Sequence, residues 1–173
     1  MNVVLVGYRG TGKSSVASLL ASRLRRPVIG LDAEIVRRAG KGVPEIVAER
    51  GWDGFRDLEE EVCRSAAAAQ DAIIDCGGGV VERERNVEVL RGAGIVFWLS
   101  ASPRTIVGRI EGDDQRPSLT GSQSFTDEVV EVLERRIPRY RRMAHHEVST
   151  DDRSVEEVAG EILRRIQAAS AAG

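Results

Sequence analysis

Along this chain, short runs of consecutive apolar residues alternate with longer stretches whose apolar positions recur every three or four residues. Residues 2–6 (NVVLV), 27–31, 72–75, 95–99 and 146–149 are mostly continuous and rich in Val and Ile, the pattern of strands covered on both faces. The stretches 13–24, 33–38, 43–49, 54–69, 82–91, 103–110, 125–142 and 154–168 carry a helical pattern instead. Strands alternating with helices predict an α/β fold of three layers, α/β/α, around a central five-stranded parallel sheet.

Two regions break the alternation. Between the second and third strands, residues 33–70 supply two or three helices where one crossover would do, so a helical insertion is expected there. Residues 112–124 (GDDQRPSLTGSQS) are polar, with two Gly and a Pro, and read as a loop of the length of a disordered connection or a functional lid. The C-terminal tail from Ala168 is expected to fray.

Composition narrows the class. A chain of 173 residues, 42% hydrophobic and 30% charged, suits one compact domain spanning 1–173. A net charge of −2 with no basic tail or stripe argues against nucleic acid as a partner. No apolar stretch approaches the roughly 20 residues of a membrane span. The first residues lack the basic start of a secretory signal, and Cys63 and Cys76 form neither a CxxC pair nor a disulfide framework. A cytoplasmic, monomeric protein is expected. Of the 25 basic residues only Lys13 and Lys41 are Lys, the rest being Arg. A G- and C-rich genome accounts for most of that excess, so the informative positions are those where a planar fork or a compact charge is needed.

One motif sets the chemistry. Residues 7–14, GYRGTGKS, match GxxxxGK[ST] in full, after a strand and before a helix. Its glycines let backbone N–H groups wrap an anion, Lys13 reaches the β- and γ-phosphates, and the Ser14 hydroxyl ligates Mg²⁺. A GTPase would need a base-reading NKxD segment, which is missing, and motor ATPases are larger. A compact nucleotide or metabolite kinase using ATP remains.

The second expected strand ends in Leu31-Asp32-Ala33-Glu34. On extended backbone the two acids face the same way, one for hydrated Mg²⁺ and one for the attacking hydroxyl. On a helix they splay, with Asp32 a cap and Glu34 its first turn; spacing alone weighs the two alternatives equally. Asp75 competes for the metal, because Ile73-Ile74-Asp75 is also an apolar strand ending in an acid. The triple glycine Gly77, Gly78 and Gly79 that follows suits a close ligand approach to the main chain. Arg56, Arg136 and the loop residue Arg116 stand out among the arginines, Arg116 as a phosphate clamp carried by a closing lid.

Taken in order, GYRGTGKSS, the acid pair, VPEIVAERGWDGFRDLEEEV, the GGG turn, QRPSLTG and ERRIPRYRRMAHHEV resemble the shikimate kinase family over nearly the whole chain. The resemblance implies a fold like the P-loop nucleoside monophosphate kinases, with the insertion at about 33–70 binding substrate and a lid at about 112–124. It implies ATP-dependent phosphorylation of the 3-hydroxyl of shikimate, with Mg²⁺. By it, Gly10, Thr11, Gly12, Lys13, Ser14 and Ser15 hold the phosphates, while Ser14 and Asp32 serve the metal. Asp32 and Glu34 contact substrate hydroxyls, Arg56 and Arg136 grip its carboxylate, and Gly77, Gly78 and Gly79 line its pocket. Arg116 reaches the phosphates, and Arg109 and Arg153 flank the adenine. This chain departs from the usual Asp-x-Asp by having Glu34 as its second acid, and by carrying Asp75-Cys76 before the glycines. Rival readings are a sibling kinase for another polyol acid such as gluconate, and a non-catalytic nucleotide-binding regulator.

Overall fold

In a computed structural model of the chain, residues 1–110 and 124–171 are described. The elements run β1 (Asn2–Val6), α1 (Lys13–Leu24), β2 (Val28–Gly30), α2 (Leu31–Ala39), α3 (Val43–Ala67), β3 (Ile73–Asp75), α4 (Glu84–Ala93), β4 (Gly94–Ser100), α5 (Pro103–Ile110), α6 (Phe125–Met143), β5 (His146–Ser149) and α7 (Val155–Ala171). The five strands form one sheet in the order β2-β3-β1-β4-β5, and every neighbouring pair is parallel. The expected architecture is therefore the observed one.

The apolar runs fill both faces of that sheet because alternate strand side chains point opposite ways. From β1, Val4 and Val6 join Val96 and Trp98 of β4 in a core closed by α2, α3, α4 and α6. Val3 and Leu5 join Phe97 and Leu99 in the opposite core, closed by α1 and α7. Tyr8 anchors a third, smaller cluster with Ile106, Ile110, Val129 and Val132 of α5 and α6. With all strands parallel, their carboxyl ends lie along one edge. The chain leaves β1 for the far strand β2 and later returns to β4 on β1's other side, so the loops after β1, β2 and β3 meet at the crevice where ligands bind such sheets.

Some boundaries differ from the sequence pattern. β2 ends at Gly30, not at 31, because Leu31 and Ile35 are both buried and four residues apart, which draws this segment into a helix against the core. The expected helices 43–49 and 54–69 are continuous as α3 except at Gly51, whose φ of 68° kinks the chain. The stretch starting at 82 opens with a single 3-10 turn, Val80–Glu82, before α4. The tail stays helical through Ala171.

Candidate active site

At the end of β1 the chain enters the glycine-rich loop and turns into α1. Gly12 caps that helix at φ 86°, a conformation open to glycine, and no side chain caps the helix. No acid sits in its first turn. The amides of the first turn, with the positive end of the helix dipole, thus form an anion site to which α1 itself brings no carboxylate. The loop is braced from within. Thr11 Oγ1 donates to the Tyr8 carbonyl at 2.8 Å, and Lys13 Nζ donates to the same carbonyl at 2.8 Å. Lys13 is only 8% exposed, so its charge stands at the cradle rather than in bulk water.

This loop borders a cleft of about 420 Å³ that also receives Gly30, Asp32, Asp75, Cys76, Gly77 and Gly78. Gly10, Gly12, Lys13, Ser14 and Ser15 line it as well. The expectation that Asp32 and Glu34 enter one site together is corrected here. Both lie in the first turn of α2, where residues two apart point about 160° away from each other. Asp32 faces the cleft, whereas Glu34 turns into a separate groove with Ile29, Arg38, Val62 and Ser65. There it accepts hydrogen bonds from Arg37 at 2.7 and 2.8 Å and from Arg38 at 2.7 Å.

Those bonds, from Arg37 first and then Arg38, pull the Glu34 pKa down to about 2. A depressed acid stabilises the folded chain above its unfolded pKa, near 4.5, and that contribution is lost as pH falls toward 2. Solvent screening keeps it small. Glu34→Ala is therefore expected to leave kcat/KM for the phosphoryl acceptor within about threefold of the unaltered protein in steady-state assays, as for a surface change away from a site.

The acid that the fold does bring to the loop is Asp75, the last residue of β3. It accepts a hydrogen bond from Ser14 Oγ at 2.6 Å. Asp32 stands on the glycine side of the cleft: a Cβ on Gly77 would lie 2.6 Å from its Oδ1 and 3.2 Å from Glu59 Oε1.

Beyond the glycines stand the two arginines. Arg56 Nη1 donates to Glu59 Oε2 at 2.7 Å, and the guanidinium packs over the rings of Phe55 and Trp52 at 5.3 and 5.4 Å. Glu59 is wholly buried; desolvation pushes its pKa up against the pull of Arg56 and Arg136. Arg136, 3% exposed, donates from Nε to Glu82 at 2.6 Å and lies over the Tyr8 ring at 5.8 Å. Burial opposes its charge, but Tyr140 and Glu82 outweigh burial and raise its pKa. The Tyr140 hydroxyl donates to the Gly78 carbonyl at 2.5 Å and so pins the glycine turn to α6.

Gly79 is the tightest of these positions. A Cβ there would stand 2.1 Å from Arg56 Nη2, and the guanidinium, clamped by Glu59, would have to move. Gly79→Ala is expected to raise the KM of the anionic acceptor by about tenfold or more, with a smaller change in the KM for ATP. Equal effects on both constants would show that the turn serves folding alone.

On the other side of the loop, a groove of about 270 Å³ is lined by Thr11, Gly12, Ser15, Arg109, Thr150 and Arg153, among others. Arg109 donates to the carbonyls of Gly10 and Thr150 at 3.1 and 2.9 Å, and Arg153 to that of Ser149 at 3.0 Å. Arg116 and residues 112–123 of the expected lid lie outside the described residues. Sequence reasoning missed Glu59 and Glu82, the carboxylates that hold Arg56 and Arg136. The three-residue spacing of Arg56 and Glu59 on one helix could have found the first; Glu82 is 54 positions from Arg136 and left no local signal.

Comparison with known proteins decides the family. The shikimate kinase family model matches residues 9–167. The chain belongs to the shikimate kinase family. A curated shikimate kinase of Symbiobacterium thermophilum is 41% identical over 96% of this chain and 97% of its own length. Among solved family members, the shikimate kinase of Acinetobacter baumannii in complex with shikimate superposes with a TM-score of 0.92 at 31% identity, covering 96% of this chain and 93% of that one. The shikimate kinase of Aquifex aeolicus gives 0.86 at 28% identity over the whole of both chains. Family membership and the site agree in kind: a phosphate cradle in the cleft, and two buried guanidiniums beyond the glycine turn that borders it.

Proposed function

We propose that this chain transfers the γ-phosphoryl group of ATP to the 3-hydroxyl of shikimate, giving shikimate 3-phosphate and ADP. The observation that carries this reading is how the groups are set out from the phosphate loop: Asp32, Gly77 and Gly78 line the same cleft, and Arg56, with Arg136 near its partner Glu59, packs against Gly79 at the back of that turn. Shikimate is a small carboxylate bearing vicinal hydroxyls. Its carboxylate suits the guanidinium pair, and Asp32, on the turn side, suits its hydroxyls.

Phosphoryl transfer demands alignment and charge stabilisation more than covalent chemistry from the protein. The first-turn amides of α1 and Lys13 hold the phosphate chain, and Lys13 Nζ can exchange the Tyr8 carbonyl for a phosphate oxygen. Asp32 orients the acceptor hydroxyl and takes its proton as the bond to phosphorus forms. Arg109 and Arg153 border the groove that would receive the nucleoside, and Arg116 serves as the lid's phosphate clamp. The Ser14 hydroxyl, which lines the cleft at the edge of the anion site, is a hard oxygen that fits Mg²⁺. When bound, that ion neutralises charge on the β- and γ-phosphates.

The domain spanning 1–173 would carry both half-sites, and the enzyme is read as a cytoplasmic monomer. The exposed surface and the thiols support that. The large apolar side chains exposed among the described residues, Met1, Val28, Val36 and Phe125, are few, and both cysteines are buried free thiols. No described helix is long and apolar enough to cross a membrane.

The test is ADP release by purified protein with ATP and Mg²⁺ against a panel of shikimate, gluconate and other polyol acids, with the product identified by phosphorus NMR. Shikimate-dependent release of ADP is expected. Preference for gluconate would move the protein to a sibling activity, and nucleotide binding without turnover would make it a regulator.

A further inference from the structure

The reading of the cleft as a kinase site leaves one of its acids without a role. Asp75 ends β3, flanked by β1 on one side and β2 on the other, in register with Leu5 and Gly30. Its carboxylate therefore emerges at the sheet edge directly beside the phosphate loop, opposite a position, Gly30, that offers no side chain. Gly30 and Asp75 line the same cleft, and a Cβ on Gly30 would find only Ala33 within 4 Å, at 3.8 Å. Room is thus left in front of the carboxylate.

We propose that Asp75, rather than Asp32, is the carboxylate of the Mg²⁺ site; this rests on the kinase reading of the cleft. Three features carry it. First, the 2.6 Å bond from Ser14 Oγ to Asp75 Oδ2 commits the hydroxyl proton to the acid, which leaves the oxygen lone pairs for a hard cation. A ligand held this way by an outer carboxylate is both oriented and made more basic. Second, Asp32 stands against the glycine turn, its Oδ1 2.6 Å from where a Cβ on Gly77 would lie, where the acceptor is read to bind. The two carboxylates thus divide between metal and acceptor. Third, one hydroxyl and one carboxylate are enough, since Mg²⁺ keeps several waters and takes one or two protein oxygens with substrate phosphates. The pair of metal and hydroxyl acids expected from Asp32 and Glu34 is supplied instead by Asp32, in the first turn of α2, and Asp75, at the end of β3.

A purely structural role, fastening α1 to β3, would lower thermal stability without altering metal affinity. The measurement is therefore the Mn²⁺ affinity of the protein–ADP complex, read by electron paramagnetic resonance, beside ADP affinity in EDTA and the melting temperature. Asp75→Asn is expected to weaken Mn²⁺ binding by ~10–100-fold while ADP affinity in EDTA and shikimate affinity are kept. Asp75→Ser should do the same and stands in if the Asn variant folds poorly. Asp32→Asn should keep the Mn²⁺ affinity and lose shikimate affinity. Unchanged Mn²⁺ affinity in both Asp75 variants, or its loss in Asp32→Asn, overturns the proposal. Shikimate-dependent ADP release by the unaltered protein, measured alongside, tells that failure apart from failure of the kinase reading.

Discussion

Lys13→Ala is expected to lower kcat by ~10³-fold or more while the protein remains folded and still binds ADP. The magnitude follows from removing a cation that meets charge developing on a transferring phosphoryl group, where a single such contact carries ~10³–10⁵-fold in related chemistry. Retention of fold follows from the local bonding. The Tyr8 carbonyl loses Lys13 Nζ but keeps Thr11 Oγ1 at 2.8 Å, so that buried acceptor is not orphaned. The first-turn amides, which hold phosphate independently of any side chain, keep the nucleotide. Steady-state kinetics with calorimetric ADP titration checks both parts. A Lys13→Ala protein with near-normal kcat would remove the lysine from the reaction.

The second large effect is in acceptor binding. Arg136→Ala is expected to raise the KM for shikimate by ~10²-fold with a much smaller fall in kcat, the loss of a buried charge-assisted contact. Glu82 makes this a clean experiment. That carboxylate also accepts from Arg135 at 2.9 Å and Arg139 at 2.8 Å, so it stays paired when Arg136 is truncated. The corresponding change at Arg56 would not be clean, because it strands Glu59, which is wholly buried, and losing one partner of such a pair costs about 3–5 kcal/mol. Folding and binding would then be lost together. An Arg136→Ala protein with unchanged KM and reduced kcat would place this arginine with the phosphate instead of the acceptor.

Both predictions depend on how the chain brings distant residues together, and the phosphate loop and the arginines differ in that respect. The loop is contiguous, and its geometry follows from glycine spacing between a buried strand and a helix, so it was legible in full. Arg56 and Arg136 were legible as residues through the family resemblance, but their partners were not. Glu82 reaches Arg136 only because α6 packs across the turn after β3. The bias toward arginine resolves in the same way. Planar forks are held on carboxylates at Arg56 and Arg136, and the lone compact cation at the cradle is Lys13.

The acids mark the boundary most clearly. The alternation of apolar runs determined the sheet, its parallel sense and the location of the cleft, because strands buried on both faces and joined through helices run parallel and bring their carboxyl ends to one edge. It did not determine where β2 stops. One residue of difference, decided by Leu31 and Ile35 packing into the core, turned an extended acid pair into a splayed one and sent Glu34 to Arg37 and Arg38. The acid that meets Ser14 comes from β3, 61 positions away, and only the pairing of β1 with β3 sets that distance. Local pattern thus specified which chemistry this protein holds. The tertiary structure decided which carboxylate serves it, because side-chain direction depends on packing that no short stretch of sequence contains.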